Sequence, residues 1–473
     1  MKERIRRILD NVWEIGKEKG MNVPGIVFAS DSLFEKIRDD KTIEQIKNVA
    51  KLPGIVKASF AMPDAHQGYG MCVGGVAAFD LKKGIVSPGM TGYDINCGVR
   101  LLASNLDKKA FLKKRKEFIH QIKRDVPSGV GKKSEFRLNN KEIEMVLEKG
   151  VEWCVEKGYG KKEDIENCED NGCIEGADAS KVSAKARGRG MSQLGSLGAG
   201  NHFLEIQEIE EIYDSKTAEI FGLENGKICV LIHSGSRGLG HQTASDYIKK
   251  CEDKFGIKHL PDRELAYAPV NSELGKDYLG AMRAAANFAF ANRHLIMCKV
   301  RESFKKYFPK HDLKLVYDVA HNIIKFEEFF IDGKKEILCV HRKGATRSFG
   351  PGRKELPEKY RKTGQPILIP GSMGTYSYVL CGTEKAREIS FASTAHGAGR
   401  VLSRTYAKKN FNIEQLKKQL AEKDVYVEGD SVSGLVEEAP EAYKDVNEVV
   451  RVSHELGIGK TVARLRPLGV VKG

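Results

Sequence analysis

The chain has 473 residues, 41% of them hydrophobic, and its formal net charge at pH 7 is +14. A large core can therefore be buried, but no apolar run approaches the roughly 18 residues that cross a membrane. The N-terminus is charged and has no apolar stretch typical of a signal peptide, so we expect neither a membrane protein nor a secreted one. The excess of positive charge favours a polyanionic partner, nucleic acid first.

Ten cysteines are scattered along the chain, and no two of them form a Cys-x-x-Cys pair. The closest two, Cys168 and Cys173, have no second pair nearby to complete a zinc knuckle. Because no secretion signal is present, reduced thiols in the cytoplasm are the simplest interpretation. The sequence therefore predicts a cytoplasmic location, with most cysteines acting as small core residues.

The N-terminal third begins with helical patterns and then changes to short β-like runs. Residues 1–50 are predicted to be helical, and the first helix is amphipathic. Its apolar face consists of Ile5, Ile8, Leu9, Val12 and Trp13. Glycine-separated β-like runs occupy residues 54–102. A Lys-rich helical region at 108–125, a polar loop at 126–140 and a helix at about 141–157 follow.

The remaining two thirds mix strands and helices. Residues 158–176 are predicted to form an exposed, Gly/Asp/Asn-rich connector, and a strand starts near His202. The longest helix is predicted at 275–306, with a buried Ala/Phe-rich centre. Strands recur after it, and residues 397–423 read as closing helices. No linker forces a boundary, so we predict one α+β domain over residues 1–473: a large mixed α/β domain with a central β-sheet core surrounded by helices.

The segment Thr91–Arg100, TGYDINCGVR, places a carboxylate and a thiol three residues apart in a glycine-flanked turn. Asp94 and Cys97 can therefore face one point, and the hydrophobic residues that follow can anchor the turn to a core. Such a pair is half of a metal site. The remaining ligands must come from elsewhere in the chain.

Five of the twelve histidines stand at the ends of predicted strands, beside small residues. They are His202, His233, His321, His341 and His396. A lone histidine is more often a satisfied core or surface residue, but five in the same context favour a functional cluster. With Asp94 and Cys97 they provide enough ligands for one or two metal ions. Imidazole and thiolate favour zinc, whereas the carboxylate and any phosphate chemistry leave manganese open.

Several glycine-rich turns contain or adjoin arginine. The turns HSGSRGLG, KGATRSFGPG and HGAGR expose backbone N–H groups at strand ends, and Arg237, Arg347 and Arg400 lie within them. Free N–H groups beside guanidinium groups suit phosphate. Glycine turns are common in a chain with 48 glycines, but their repeated adjacency to arginine and histidine favours phosphate handling.

Seven motifs in order resemble the RtcB family of RNA-splicing ligases, in its archaeal type. They are GYDINCGVRLL, LGAGNHFLEI, HSGSRGLGH, DVAHN, HRKGATR, PGSMG and STAHGAGRVLSR. The resemblance runs essentially end to end. It implies a GTP- and Mn²⁺-dependent enzyme that joins RNA ending in a 2′,3′-cyclic phosphate or 3′-phosphate to RNA with a 5′-hydroxyl.

The resemblance also implies roles for individual residues. Asp94, Cys97 and His202 would hold one Mn²⁺, while Cys97, His233 and His321 would hold the other. His396 would be the guanylylated nucleophile, since a neutral imidazole nitrogen attacks phosphorus without losing a proton. The GTP site would consist of Asn201, His202, Phe203, Leu204, Glu205, His321, Asn322, Pro370, Gly371, Ser372, Met373, Ser377, His396, Gly397, Ala398, Gly399 and Lys472. The RNA phosphates would meet Arg187, Arg189, Arg237, Lys343, Arg347 and Arg404.

The implied reaction has three steps. The cyclic phosphate is opened to a 3′-phosphate, His396 then transfers GMP from GTP to that phosphate, and finally the 5′-hydroxyl attacks and GMP leaves. The implied partners are tRNA exon halves or broken RNA, together with an acidic activator protein of the archease type. Two other hypotheses remain open at this point: a metal-dependent phosphodiesterase or phosphatase that never ligates, and a non-catalytic RNA-binding protein with a structural metal.

Overall fold

The computed structural model describes residues 5–429 and 431–473, and it confirms the predicted α+β class. Strands recur from the first described residues to the last. In chain order they are β1 (Ile5–Leu9), β2 (Val12–Ile15), β3 (Gly25–Phe28), β4 (Ser59–Tyr69), β5 (Met71–Phe79), β6 (Ile85–Val86), β7 (Gly98–Asp107), β8 (Phe203–Ile212), β9 (Lys227–Ser234), β10 (Ala268–Pro269), β11 (Leu313–Ala320), β12 (Asn322–Ile331), β13 (Lys334–Lys343), β14 (Ala345–Arg347), β15 (Pro366–Ile369), β16 (Ser377–Cys381), β17 (Ser393–Ala395), β18 (Tyr426–Gly429) and β19 (Lys460–Lys472).

Helices fill the connections between these strands. They are α1 (Asp31–Arg38), α2 (Thr42–Val49), α3 (Pro88–Thr91), α4 (Lys108–Leu112), α5 (Arg115–Asp125), α6 (Asn140–Lys149), α7 (Val151–Glu156), α8 (Lys162–Glu166), α9 (Ala184–Gly190), α10 (Ser215–Phe221), α11 (Arg237–Phe255), α12 (Glu273–Tyr307), α13 (Glu384–Ile389), α14 (Arg404–Asn410), α15 (Ile413–Glu422), α16 (Val432–Val436) and α17 (Val446–Glu455). The predicted long helix is confirmed as α12, whose centre from Ala284 to Ala291 is fully buried.

Two large sheets organise the molecule. One has seven strands in the order β1-β2-β3-β4-β5-β13-β12. The other has eight: seven in the order β11-β7-β9-β8-β19-β16-β15, and β18, which pairs with β19. The chain passes from the second sheet to the first between β11 and β12, which are separated by the single residue His321. Any site at His321 therefore lies where the two sheets meet.

The register of the eight-stranded sheet brings several predicted site residues to one end. Gly98, which follows Cys97, pairs with Ser234 on one side and with Ala320 on the other. Phe203 pairs with His233 on one side and with Lys472 on the other. Because adjacent strands lie about 4.8 Å apart, residues far apart in sequence become neighbours here.

The prediction of a helix at the N-terminus is wrong for the described residues. Ile5–Leu9 and Val12–Ile15 form an antiparallel hairpin, and residues 1–4 lie outside the described part of the chain. Asn11 adopts a φ of 59°, which turns the chain where a helix would continue. β2 then pairs with β3, which buries Val12 and Ile15. Sheet pairing overrides the helical spacing of these apolar residues.

Two further predictions need correction. The connector at 158–176 is not simply exposed, because it contains α8, and Cys168 and Glu169 are buried. Residues 397–423 do contain α14 and α15, but the chain closes with β19, which lies inside the eight-stranded sheet. Among residues 5–429 and 431–473, no helix combines the length and the apolar character that a membrane crossing requires.

Candidate functional site

A cavity of about 640 Å³ opens at the end of the eight-stranded sheet described above. Asp94, Cys97, His233, His321 and His396 all line it. These residues come from four different segments, each ending or starting a strand or lying in a turn. The cavity is therefore the place where the predicted metal ligands and the predicted nucleophile meet.

The turn that carries Asp94 and Cys97 is held rigidly. The N–H of Cys97 donates to the carbonyl oxygen of Asp94 at 2.9 Å, and Asn96 adopts a φ of 53°. The side chain of Asn96 donates to the carbonyl oxygen of Ala286 on α12 at 2.8 Å. Arg293, also on α12, donates to the carbonyl oxygens of Asn96 and Ser234 at 2.8 and 2.9 Å. One guanidinium thus fixes the residues beside both Cys97 and His233.

Five side chains form what we call the ligand cluster: Asp94, Cys97, His202, His233 and His321. Their donor atoms fall into two sets of three, each within 4.8 Å of one another. The first set is Asp94, Cys97 and His202, and the second is Cys97, His233 and His321. Cys97 belongs to both. These are the two ligand sets that the family resemblance implies.

The distances within the ligand cluster are those of groups that converge on a point. The Sγ of Cys97 lies 3.3 Å from Nε2 of His202 and 3.4 Å from Nε2 of His233. Nε2 of His202 is 2.8 Å from Oδ2 of Asp94, and Nε2 of His233 is 3.3 Å from Nε2 of His321. Nδ1 of all three histidines lacks a hydrogen-bond partner within the described part of the chain.

Burial sets the protonation of these groups. It lowers the pKa of His233 and His321 well below the usual value, so both imidazoles are neutral and can donate a lone pair. Burial also raises the pKa of the Cys97 thiol, and the Asp94 carboxylate raises it further. For Asp94 burial acts upward, but His202 outweighs it and holds the pKa at about 2. Neutral imidazoles, one thiol and one carboxylate suit a divalent cation, which would favour the thiolate.

His396 faces the ligand cluster, and its ring contacts a carboxylate that the sequence analysis did not identify. Its ring centroid lies 4.8 Å from that of His321. Nδ1 of His396 is 2.5 Å from Oδ2 of Asp64, which also accepts the backbone N–H groups of His396 and Gly397 at 3.0 and 3.2 Å. A Cβ on Gly399 would lie 2.1 Å from the carbonyl oxygen of Asp64, so this turn requires glycine.

Asp64 is fully buried, and burial acts to raise the pKa of its carboxyl group. The neighbouring His396 outweighs that effect, so the pKa lies below its usual value and the group is ionised. In the sequence, Asp64 appears only as an aspartate in the run SFAMPDAHQGYG, and no spacing relates it to His396. Only the tertiary fold brings the two together.

A second region of the cavity is built around Lys472 near the chain end. Its Nζ donates to the carbonyl oxygens of Gly200 and His202, and it lies 5.6 Å from the ring centroid of Phe203. Nearby, burial raises the pKa of Glu205 to about 8. Gln207 donates to Oε2 of Glu205 at 2.7 Å, whereas Oε1 has no partner among residues 5–429 and 431–473. The C-terminal strand does fold back into the cavity, as a role for Lys472 requires.

Most residues predicted for GTP line the cavity, and a few lie behind its wall. The lining includes Asn201, Phe203, His321, Asn322, Pro370, Gly371, Ser372, Met373, His396, Gly397, Ala398, Gly399 and Lys472. The residues outside this lining are His202, Leu204, Glu205 and Ser377, all of them buried. Ser377 accepts a hydrogen bond from Gln207 at 2.9 Å, so it supports the wall near Glu205.

The six basic residues predicted for RNA are not gathered in one place. Only Lys343 and Arg404 line the cavity, and the Nζ of Lys343 already donates to the carbonyl oxygens of Tyr69 and Gly89. Arg187 pairs with Glu144, Arg189 donates to Gln242, and Arg237 donates to Ser196 and Gly129. Arg347 is buried between Glu169 and Asp170. A side chain must be exposed to contact RNA, and Arg347 is buried.

The fold and the cavity define a class of site: paired sets of metal-capable ligands sharing one cysteine, beside a histidine that is held by a carboxylate. The family model described as tRNA-splicing ligase RtcB matches residues 45–473. The chain is 51% identical to the tRNA-splicing ligase RtcB of Thermococcus kodakarensis and 52% identical to that of Archaeoglobus fulgidus, over 99% of both chains in each case. It is 49% identical to the RNA-splicing ligase RtcB of Mycobacterium bovis, covering 91% of this chain and all of that one. The chain belongs to the RtcB family.

Proposed function

We propose that this protein is a GTP- and Mn²⁺-dependent RNA ligase that joins 2′,3′-cyclic phosphate or 3′-phosphate ends to 5′-hydroxyl ends, in tRNA splicing and in RNA repair. The observation that carries the proposal is the pair of three-ligand sets that share Cys97, placed directly beside His396. Covalent transfer of GMP needs a nucleophile beside the metal ligands, and His396 occupies that position; opening a cyclic phosphate with water needs the metal ligands alone.

The ligand cluster fits two Mn²⁺ ions. Asp94, Cys97 and His202 would hold one, while Cys97, His233 and His321 would hold the other. The neutral imidazoles of His233 and His321 support this fit, since Nε2 offers a lone pair when Nδ1 carries the proton. When bound, the ions would supply Lewis-acid stabilisation of phosphate oxygens.

His396 is proposed as the nucleophile toward GTP. The carboxylate of Asp64, 2.5 Å from Nδ1, favours the tautomer in which Nδ1 carries the proton and Nε2 carries the lone pair. Nε2 attacks the α-phosphorus, the bond to the pyrophosphate leaving group breaks, and GMP becomes attached to His396. The positive charge that develops on the ring is stabilised by Asp64.

Guanine recognition is proposed for the region around Glu205 and Lys472. Guanine presents N1–H and N2–H₂ donors, which a carboxylate can accept and which adenine lacks in that arrangement. Glu205 lies behind the cavity lining, and its Oε1 has no partner in the described part of the chain. A guanine donor that reaches Oε1 would favour the ionised carboxylate, which burial alone disfavours. Lys472, fully buried over Phe203, can meet an oxygen of the nucleotide.

The remaining steps of the reaction are proposed to take place in the same cavity. The cyclic phosphate is first opened by water to a 3′-phosphate. An oxygen of that 3′-phosphate attacks the GMP on His396, the phosphorus–nitrogen bond breaks, and an RNA end capped by GMP through a pyrophosphate results. The 5′-hydroxyl of the second RNA then attacks the 3′-phosphate, and GMP leaves. Arg404 at the cavity wall is proposed to hold RNA phosphate, with Arg187, Arg189 and Arg237 farther out.

Net charge supports the proposed partners. At +14 the chain attracts RNA, and it also suits an acidic activator protein of the archease type. All ten cysteines are free, which agrees with the proposed cytoplasmic setting. Residues 1–473 are proposed to act as a single ligase domain.

A labelling experiment tests the proposal. Incubation with α-labelled GTP and Mn²⁺ should attach label to the protein through an acid-labile bond, whereas γ-labelled GTP should leave none. His396→Ala should abolish the label, and His120→Ala, an exposed histidine outside the cavity, should retain it. The labelled protein should then join a 3′-phosphate RNA to a 5′-hydroxyl RNA. RNA of unchanged length with intact GTP would instead favour a phosphodiesterase.

A further inference from the structure

Three aromatic side chains form a row at the mouth of the cavity, and none of the proposed steps uses them. Tyr69 and Tyr93 both line the cavity, and Tyr69 is 69% exposed. Their ring centroids lie 6.4 Å apart with the planes at 86°. Tyr93 stacks on His241 with a centroid distance of 4.8 Å and an angle of 26°. We call these three residues the aromatic row.

The aromatic row is held in place from below. The hydroxyl of Tyr93 donates to the carboxylate of Glu264 at 2.8 Å. Gly70 turns the hairpin after Tyr69 with a φ of 69°, and a Cβ there would lie 2.9 Å from the backbone of Glu264. The buried ammonium of Lys343 donates to the carbonyl oxygen of Tyr69. Tyr69 is therefore exposed on a fixed backbone, which is how a protein presents a preorganised ring to a ligand.

The position of the row relates it to the reacting groups. Tyr93 directly precedes Asp94 of the ligand cluster. Lys343, which holds Tyr69, directly precedes Gly344, where a Cβ would lie 3.1 Å from Cε1 of His396. The row thus rises from the side of the cavity that carries Asp94 and His396.

We propose that Tyr69, backed by Tyr93 and His241, is a stacking platform for one nucleobase of the RNA next to the junction. The inference rests on the proposed ligase function and deepens it. An exposed aromatic ring on a fixed backbone, at the mouth of a cavity in a chain of charge +14, has the chemistry of a single-strand RNA site. Because every base has a π-face, such a platform fixes the terminal nucleotide without selecting its sequence.

Abasic substrates test the platform. Ligation efficiency, kcat/KM, is measured with intact RNA, with RNA abasic at the 3′-phosphate end, and with RNA abasic at the 5′-hydroxyl end. For the unmodified protein we expect a loss of about 5- to 100-fold on one of the two abasic substrates. Tyr69→Ala should lose about as much on intact RNA and nothing further on that abasic substrate. The RNA whose abasic form shows this pattern is the one whose terminal base stacks on Tyr69.

Matched variants separate the effect of losing the Tyr69 ring from any effect on folding. Tyr69→Phe keeps the ring and should behave as the unmodified protein does, and Tyr213→Ala, which removes an exposed tyrosine outside the cavity, should show the full abasic loss. The platform is wrong if Tyr69→Ala and the unmodified protein lose the same factor on both abasic substrates. Label transfer from α-labelled GTP to the unmodified protein without RNA is measured in parallel. Its absence would overturn the ligase proposal instead.

Discussion

Two buried groups of polar side chains lie at the same end of the eight-stranded sheet, and they differ in how well their atoms are satisfied. In the ligand cluster, Nδ1 of His202, His233 and His321 has no partner in the described part of the chain. Three residues before His321, Asp318 on β11 accepts from Arg100 at 2.6 Å and from Arg293 at 2.7 Å. We call Arg100, Arg293 and Asp318 the arginine–aspartate cluster.

The difference teaches which group serves the fold and which is left for chemistry. All three members of the arginine–aspartate cluster are fully buried, and Arg293 also reaches the carbonyl oxygens beside Cys97 and His233. Breaking such a network leaves buried charge uncompensated. In the ligand cluster the Sγ of Cys97 and the Nε2 atoms of the three histidines are linked only to one another and to Asp94, and the three Nδ1 atoms have no partner in the described part of the chain. Native proteins tolerate such atoms mainly at functional sites.

Cys97→Ser should have the largest effect on activity, because it removes the one atom that both ligand sets share. We expect the loss of ligation to exceed the roughly 10- to 100-fold cost of removing a group that only supports a ligand. Asp94→Asn affects a single set and should cost less. Ligation and GTP labelling are measured over a Mn²⁺ titration. Equal losses from both variants would break the assignment of Cys97 as the shared ligand.

Asp318→Asn should have the largest effect on stability, because it leaves Arg100 and Arg293 buried without a carboxylate. We expect a loss of about 3–5 kcal/mol in the free energy of unfolding. Urea unfolding of the metal-free protein measures it, and Arg38→Ala in an exposed pair with Glu35 is the control. Cys97→Ser should leave the same unfolding midpoint nearly unchanged. A comparable drop in both would erase the distinction between the two clusters.

Asp64→Asn should slow the attachment of GMP to His396 by about 10- to 100-fold, since an amide cannot stabilise the developing imidazolium charge. The amide oxygen can still accept the backbone N–H groups of His396 and Gly397, so the turn should hold. Single-turnover labelling with α-labelled GTP gives the rate. An unchanged rate would show that Asp64 serves the turn alone.

Glu205 should make stability depend on pH, as the smallest of these effects. Its pKa in the folded protein is about 8, above the usual value of 4.5 for a glutamate, because burial disfavours the carboxylate. The folded state therefore holds a proton that the unfolded state has lost. The contribution of the group is fully present below pH 4.5 and is lost as pH rises through about 8. The melting temperature of the unmodified protein should fall as pH rises from 4.5 to 8. Glu205→Gln should reduce that fall by about a few °C, because a change in unfolding free energy shifts the melting temperature only slightly in a chain of this size. Parallel pH profiles would contradict the shift.

The strand-end pattern placed His202, His233 and His321 among the candidates, and the structure brings them together with Asp94 and Cys97. The same pattern also included His341, whose Nε2 instead accepts the N–H of Ser87 at 3.1 Å, and the two ligand sets came from the family resemblance. That local pattern is visible in one dimension, as is the buried centre of α12. Asp64 could not be found in this way, since its link to His396 spans 332 residues and depends on how β4 meets the turn after β17. The arginine–aspartate cluster was invisible for the same reason.

Prediction failed where a local pattern had two physical outcomes. The spacing of Ile5, Ile8 and Val12 suits a helix face, yet pairing of β2 with β3 decides for strands. An arginine in a glycine turn suits phosphate, yet Arg347 is buried between Glu169 and Asp170. Whether a charge meets solvent or another charge is set by tertiary packing, which residue type and spacing do not contain.

Anomalous diffraction from crystals soaked in Mn²⁺ tests the central claim most directly. Two ions should appear, one among Asp94, Cys97 and His202 and one among Cys97, His233 and His321, with both bonded to the Sγ of Cys97. The arginine–aspartate cluster should stay free of metal. Ions that avoid Cys97, or a ligand cluster that stays empty at saturating Mn²⁺, would contradict the account.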